Sequence, residues 1–316
     1  MMRIFHKLLL LLVSFSCRVV AQSSSDHEEI DYPPMLDSDD IAYFFQRRDM
    51  AGLHQALQSV FRRSQRNPVA DQVVYPLPEQ MVARGGGFHY TAAYKMQHDL
   101  EQAAFLANYL QGKEAAFFRD TVVPAYQSML ERIPPLEDLE RTQGLYPFQA
   151  ADRQATNIHT LYNKALHLAN LDKLAPDVDS GEPAALINPD LDVSTIQRQW
   201  TGQDVTHVHP GIVVVDNLLS PKALAAMQQI MLESTVFTQC KLPKKFGGYV
   251  GAYIDDGLHD RILLDLAMDL HDSMPDIFAG HPLKYLWSYK YDSNYTGTSH
   301  GFCRFFESRL LPHYQN

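Results

Sequence analysis

Residues 175–194, APDVDSGEPAALINPDLDVS, separate two stretches of different texture, and that change limits the folds open to the chain. Before it, apolar residues recur at helical spacing. After it, β-branched and aromatic runs are mixed with helical ones. A mostly helical first half followed by an α+β second half is therefore expected. With 316 residues, 46% of them apolar, the chain is long enough for one large or two medium domains.

In the first half, LDSDDIAYFFQRRDMAGLHQALQSVFRRSQ opens on acidic cap residues and sets Leu53, Leu57, Val60 and Phe61 at helical spacing. ARGGGF (83–88) is a glycine-rich break with no Lys-Ser/Thr after it, so it reads as a turn rather than a phosphate loop. YKMQHDLEQAAFLANYLQ places Met96, Leu100, Ala103, Ala104 and Ala107 on one side. GKEAAFFRDTVVPAYQSMLERI predicts a helix bent at Pro124. TNIHTLYNKALHLANL predicts another, with Ile158, Leu161, Ala165 and Leu168 apolar. The expectation is a helical domain over 36–175, of tetratricopeptide-like hairpins or, since no clean repeat is found, of irregular helices.

Residues 176–204 read as a linker. In the second half, GIVVVDNLL (211–219) predicts a buried strand. SPKALAAMQQIMLES predicts a helix with Ser220 as N-cap and Pro221 in its first position. GGYVGAYID and LKYLWSYKY predict strands, with RILLDLAMDLHDSM as a helix between them.

The first 21 residues have the three parts of a secretory signal: Arg3 and Lys7, an apolar run from Leu8, and Val19-Val20-Ala21. Cleavage after Ala21 is expected, with a flexible acidic segment over 22–35 and residence in the secretory pathway, in the endoplasmic reticulum lumen or outside the cell. No later run is apolar enough to suggest a transmembrane segment. Cleavage leaves Cys240 and Cys303, too few for a disulfide framework, and Asn294-Tyr295-Thr296 is a glycosylation sequon. A net charge of -10 argues against nucleic acid as a partner. The basic cluster KLPKK (241–245) reads as a solvated turn.

No nucleophile elbow, Cys-x-x-Cys, Walker lysine or His-Glu-x-x-His occurs. His207 and His209 have same-face strand spacing, but with Pro210 next they suit a linker better than a chelate. His259, His271 and His281 suit surface or capping roles. Three longer phrases carry more: HPGIVVVDNLLSPKALAAMQQIMLEST, GGYVGAYIDDGL and HPLKYLWSYKYDSNYTG. Over about 205–298 they resemble the front half of an iron(II)/2-oxoglutarate-dependent dioxygenase domain, prolyl 4-hydroxylase-like and with a helical N-terminal extension.

The resemblance implies a double-stranded β-helix (jelly roll) that holds Fe(II) on two His and one carboxylate. It also implies 2-oxoglutarate as cosubstrate, ascorbate as reductant and a peptide or protein substrate. It puts His300 at the first metal ligand and Tyr289 and Tyr291 as candidates to line the 2-oxoglutarate pocket. The second ligand position holds Phe302, which cannot bind iron, and neither a distal His nor an anchoring base is matched. A codon choice for Ser299 to Arg304 exists whose reading one base later gives His-x-Asp, so residues 299–316 are expected to be an aberrant tail. The chain is therefore expected to be an incomplete jelly roll without turnover. The alternative is a non-catalytic peptide-binding helical-repeat protein on an oxygenase-derived scaffold.

Overall fold

The structure, a computed structural model, describes residues 9–14, 36–66, 90–169, 171, 185–204, 206, 211–278 and 280–291. It is largely helical with small antiparallel sheets. Helix α1 (Ser38–Gln46) starts at the acidic cap expected for it: the amides of Asp39 and Asp40 donate to the Asp37 carboxylate at 2.8 and 2.9 Å. The Asp40 side chain accepts the Asp37 amide in return, at 3.1 Å. Arg48, at φ 58°, turns the chain into α2 (Met50–Arg66). Leu53 and Leu57 of α2 are fully buried.

Next come α3 (Ala93–Tyr109), α4 (Gly112–Phe117), a π turn (Phe118–Val122) and α5 (Val123–Arg132). The π turn immediately precedes Pro124, which has no N–H to donate to the preceding turn. Strands β2 (Tyr90–Thr91) and β3 (Tyr146–Pro147) form a short ladder, followed by α6 (Ala150–Thr156). Beyond it the expected helix over TNIHTLYNKALHLANL is absent: one 3-10 turn, Ile158–Thr160, gives way to irregular chain. Asn157 and Asn163 both take left-handed φ there, which breaks helical propagation. No tetratricopeptide repeat is formed among the described residues.

Helix α7 (Val193–Thr201) buries Ile196, and an isolated bridge joins Ile187 to Leu219. Residues 185–204, expected as linker, are thus packed structure. GIVVVDNLL does not form a strand ladder: Ile212 and Val214 are exposed, at 66% and 76%, while Val213 and Val215 lean on the core. Its strand-like alternation is kept, and only Leu219 reaches a bridge. Helix α8 (Pro221–Glu233) follows, with the Ser220 hydroxyl accepting the Ala223 amide at 3.2 Å.

Strand β4 (Gln239–Cys240), α9 (Pro243–Phe246), β5 (Tyr249–Tyr253), α10 (Arg261–Ser273), α11 (Pro275–Phe278) and β6 (Tyr285–Tyr291) complete the fold. The sheet order is β1-β6-β5-β4, all antiparallel, β1 being Leu9–Ser14. Among the described residues this is a small open sheet on helices, and no jelly roll is formed.

Two apolar cores result. One joins α1, α2, α7, α8, α10 and the inner face of the sheet; the other joins α3, the π turn, α5 and the 158–162 turn. The chain's first helices therefore pack with its last strand, across the expected domain boundary. The Gln102 side chain of α3 ties the cores together by donating to the carbonyls of Leu232 and Ser234, both at 3.0 Å.

Candidate functional site

Alternation along β5 and β6 sorts their side chains onto two faces. Val250, Ala252, Leu286 and Ser288 are buried toward the helices. Tyr249, Tyr253, Tyr285, Trp287 and Tyr289 share the other face, each half-buried. Their rings touch edge-on or tilted: Tyr249 and Tyr289 at 5.0 Å between centroids, Tyr253 and Tyr285 at 5.8 Å, Tyr285 and Trp287 at 5.8 Å. Gly251 sits between Tyr249 and Tyr253, opposite Tyr289. A Cβ there would lie 3.1 Å from the Tyr289 ring and 3.2 Å from the Tyr253 ring, so glycine lets both rings close over the strand.

Polar groups edge this surface. Lys241 Nζ donates to the Tyr253 hydroxyl, and its charge sits 4.7 Å from that ring's centroid. The Tyr253 and Tyr289 hydroxyls are 3.3 Å apart, so the ammonium and two hydroxyls form one chain of donors. At the other end the Tyr285 hydroxyl donates to Asp255 at 3.4 Å. Asp256 accepts from the Gln239 amide at 2.7 Å and the Thr238 hydroxyl at 3.5 Å.

Burial, with the neighbouring Asp256 charge, raises Asp255 to about 6. Burial also raises Asp256, against the pull of its hydrogen bonds from Gln239 and Thr238. The hydroxyls of Tyr253 and Tyr285 are pushed upward, first by burial, and stay protonated donors at neutral pH. Burial lowers Lys241, while Cys240 and Asp256 oppose that shift. Behind the face, burial raises the Cys240 thiol to about 12, so it is an unreactive core group beside the Tyr94 hydroxyl.

Of the residues named from sequence, Tyr289 lies on this face, and Tyr291 pairs with Tyr249 in the ladder. His300, Asn294, Cys303, Phe302, His207 and His209 lie outside the described residues. His259 is buried, with its Nδ1 3.1 Å from the Ile254 carbonyl, and burial lowers it to about 4. The sequence does not mark Tyr249, Tyr253, Tyr285 and Asp255 as site residues, and it presents Lys241 as part of a basic, solvated turn. The Tyr-x-Gly-x-Tyr spacing in GGYVGAYID was the available signal: two tyrosines on one strand face with a gap between them.

Among the described residues no His, Cys, Asp and Glu side chains gather in a group able to hold a metal ion. Among the described residues the face offers an ammonium, phenols and the carboxyls of Asp255 and Asp256 but no imidazole, so two of the three ligands that Fe(II) needs are lacking there. Iron therefore does not fit these residues.

A second polar cluster lines a small cavity between the two cores. Lys95 Nζ pairs with Asp99, the His98 imidazole approaches that carboxylate at 2.9 Å, and Lys95 stands 5.0 Å from the Tyr162 ring centroid. Burial lowers His98 to about 3, so it is neutral and gives its Nδ1 proton to Asp99. The two amide contacts of Gln102 go to backbone carbonyls, and the cluster is a structural tie.

Comparisons with models of protein families, with curated proteins and with solved structures found no match. Among the described residues no helix is long and apolar enough to cross a membrane.

Proposed function

We propose that the C-terminal half is the cosubstrate-facing part of an iron(II)/2-oxoglutarate dioxygenase-type module of the secretory pathway. On this reading the aromatic face receives 2-oxoglutarate, one of whose carboxylates pairs with Lys241 and the hydroxyls of Tyr253 and Tyr289. The observation that carries the reading is this donor chain, on the two strands whose sequence resembles that family. The alternation of β5 and β6 also turns Val250, Ala252, Leu286 and Ser288 to the core and the tyrosines to the other face. Bound 2-oxoglutarate would supply the electrons for oxygen activation. The chain's own contribution is to bind and orient the acid and to keep water from its apolar stem.

On the resemblance, Phe302 stands where the metal carboxylate would be and no distal His is matched, so the polypeptide is proposed to bind the acid without turnover. The test is succinate release by residues 22–316 with Fe(II), ascorbate and 2-oxoglutarate, against a metal-free control. Residues 22–316 are expected to be silent, and a chain continued from Ser299 in the shifted frame is expected to be active. Enzyme-dependent succinate from residues 22–316 would overturn the claim of an incomplete site.

A further inference from the structure

The aromatic face borders a strand edge with an unusual occupant. One side of β6 is paired with β5, and the other is paired, antiparallel, with Leu9–Ser14, in a register running from Leu9 opposite Lys290 to Ser14 opposite Tyr285. Those six residues, LLLLVS, lie inside the apolar run that reads as a secretory leader. Take them away and β6 becomes the edge of the sheet, seven residues long.

That edge has few of the usual defences. YLWSYKY contains no proline to interrupt pairing and a single charge, Lys290, against four aromatic residues. The Lys290 ammonium is turned to the Phe237 ring, 3.9 Å from its centroid, and so does not guard the edge. Mid-strand, Ser288 is fully buried and its hydroxyl has no hydrogen-bond partner, so the strand interior is already closed to water. An edge of this composition takes up an extended apolar segment through backbone hydrogen bonds. The leader run meets that need: it has no charge, no proline, and is tethered to the same chain, which raises its effective concentration over any strand in trans.

We propose that the free edge of β6 is a strand-acceptor site and that the chain's own Leu9–Ser14 occupies it until the leader is removed. One apolar run then serves two competing partners, the sheet edge and the machinery that reads leaders. Leader removal opens the β6 edge beside Tyr285, Trp287 and Tyr289. The proposal rests on the leader reading but not on the oxoacid reading, and its test uses no cosubstrate.

The measurement is hydrogen exchange by mass spectrometry on the full chain, residues 1–316, following peptides over 9–14, 261–273 and 285–291. In the intact chain both 9–14 and 285–291 are expected to be protected. The double variant Leu11→Pro, Val13→Pro, which cannot maintain the ladder, is expected to speed exchange in both by about tenfold or more, as local opening of an edge does. Helix α10 should keep its protection, showing that the fold survives. A polypeptide of residues 22–316 should match the double variant over 285–291. Free exchange of 9–14 in the intact chain would overturn the proposal, as would 285–291 exchange that the prolines leave unchanged.

Discussion

Lys241 shows how much a single side chain's setting decides. In the sequence it belongs to KLPKK, a basic turn by composition; in the fold it is half-buried against Tyr253 and linked to the donor chain of the aromatic face. Asp255 and Asp256, at the other end of the face, make it sensitive to pH. The carboxyl of Asp255, held at about 6, lies above the ordinary carboxylate value, so its protonated form is the one folding favours. That contribution is complete below about pH 4 and is lost as pH rises through about 6. Asp255→Asn is therefore expected to flatten the stability profile between pH 4 and 6.5. It should also raise stability at pH 7 by about 1–3 kcal/mol, read by urea denaturation across that range. The buried pair Lys95–Asp99 behaves in the opposite way when broken. Asp99→Asn leaves the Lys95 ammonium buried without its counter-charge and is expected to cost about 3–5 kcal/mol. Lys95→Met with Asp99→Leu should recover most of that loss, and a double-mutant cycle in urea separates the two effects.

At the scale of elements, what was legible follows local chemistry. Asp37, Ser220 and Pro221 mark helix starts that the fold uses, and the alternation in GGYVGAYID and LKYLWSYKY marks β5 and β6. The failures share one cause, which is that the deciding contacts are distant. TNIHTLYNKALHLANL has helical spacing, yet the Tyr162 hydroxyl donates to the Tyr90 carbonyl at 2.9 Å and the Thr235 hydroxyl to the His167 carbonyl at 3.0 Å. Those ties hold the stretch as irregular chain between the cores. GIVVVDNLL reads as a strand because strand propensity is local, whereas a strand needs a partner, and among the described residues only Leu219 bridges one. Ser220→Ala tests the cap directly. Loss of the hydroxyl that accepts the Ala223 amide is expected to cost about 1 kcal/mol, visible as a lower urea midpoint with an unchanged slope.

For the whole molecule, the two cores and the sheet belong to one connected packing, in which α2 and α10 meet on the same apolar cluster. Buried neutral imidazoles impose a common acid limit. His98 and His259 are lowered to about 3 and about 4, so what they contribute is present above about pH 6.5 and lost as pH falls toward those values. His259→Gln is expected to reduce the loss of thermal midpoint between pH 6.5 and 4.5, measured by circular dichroism. The larger claim is that this packing exists to present the aromatic face to an oxoacid. It is tested most directly by titrating 2-oxoglutarate into residues 22–316 and following tyrosine and tryptophan fluorescence, with Lys241→Met in parallel. Saturable binding is expected, weakened by about tenfold or more in Lys241→Met as one charge-assisted contact is lost, with no change in thermal midpoint. Absence of binding by a folded chain, or binding that Lys241→Met leaves untouched, would contradict it.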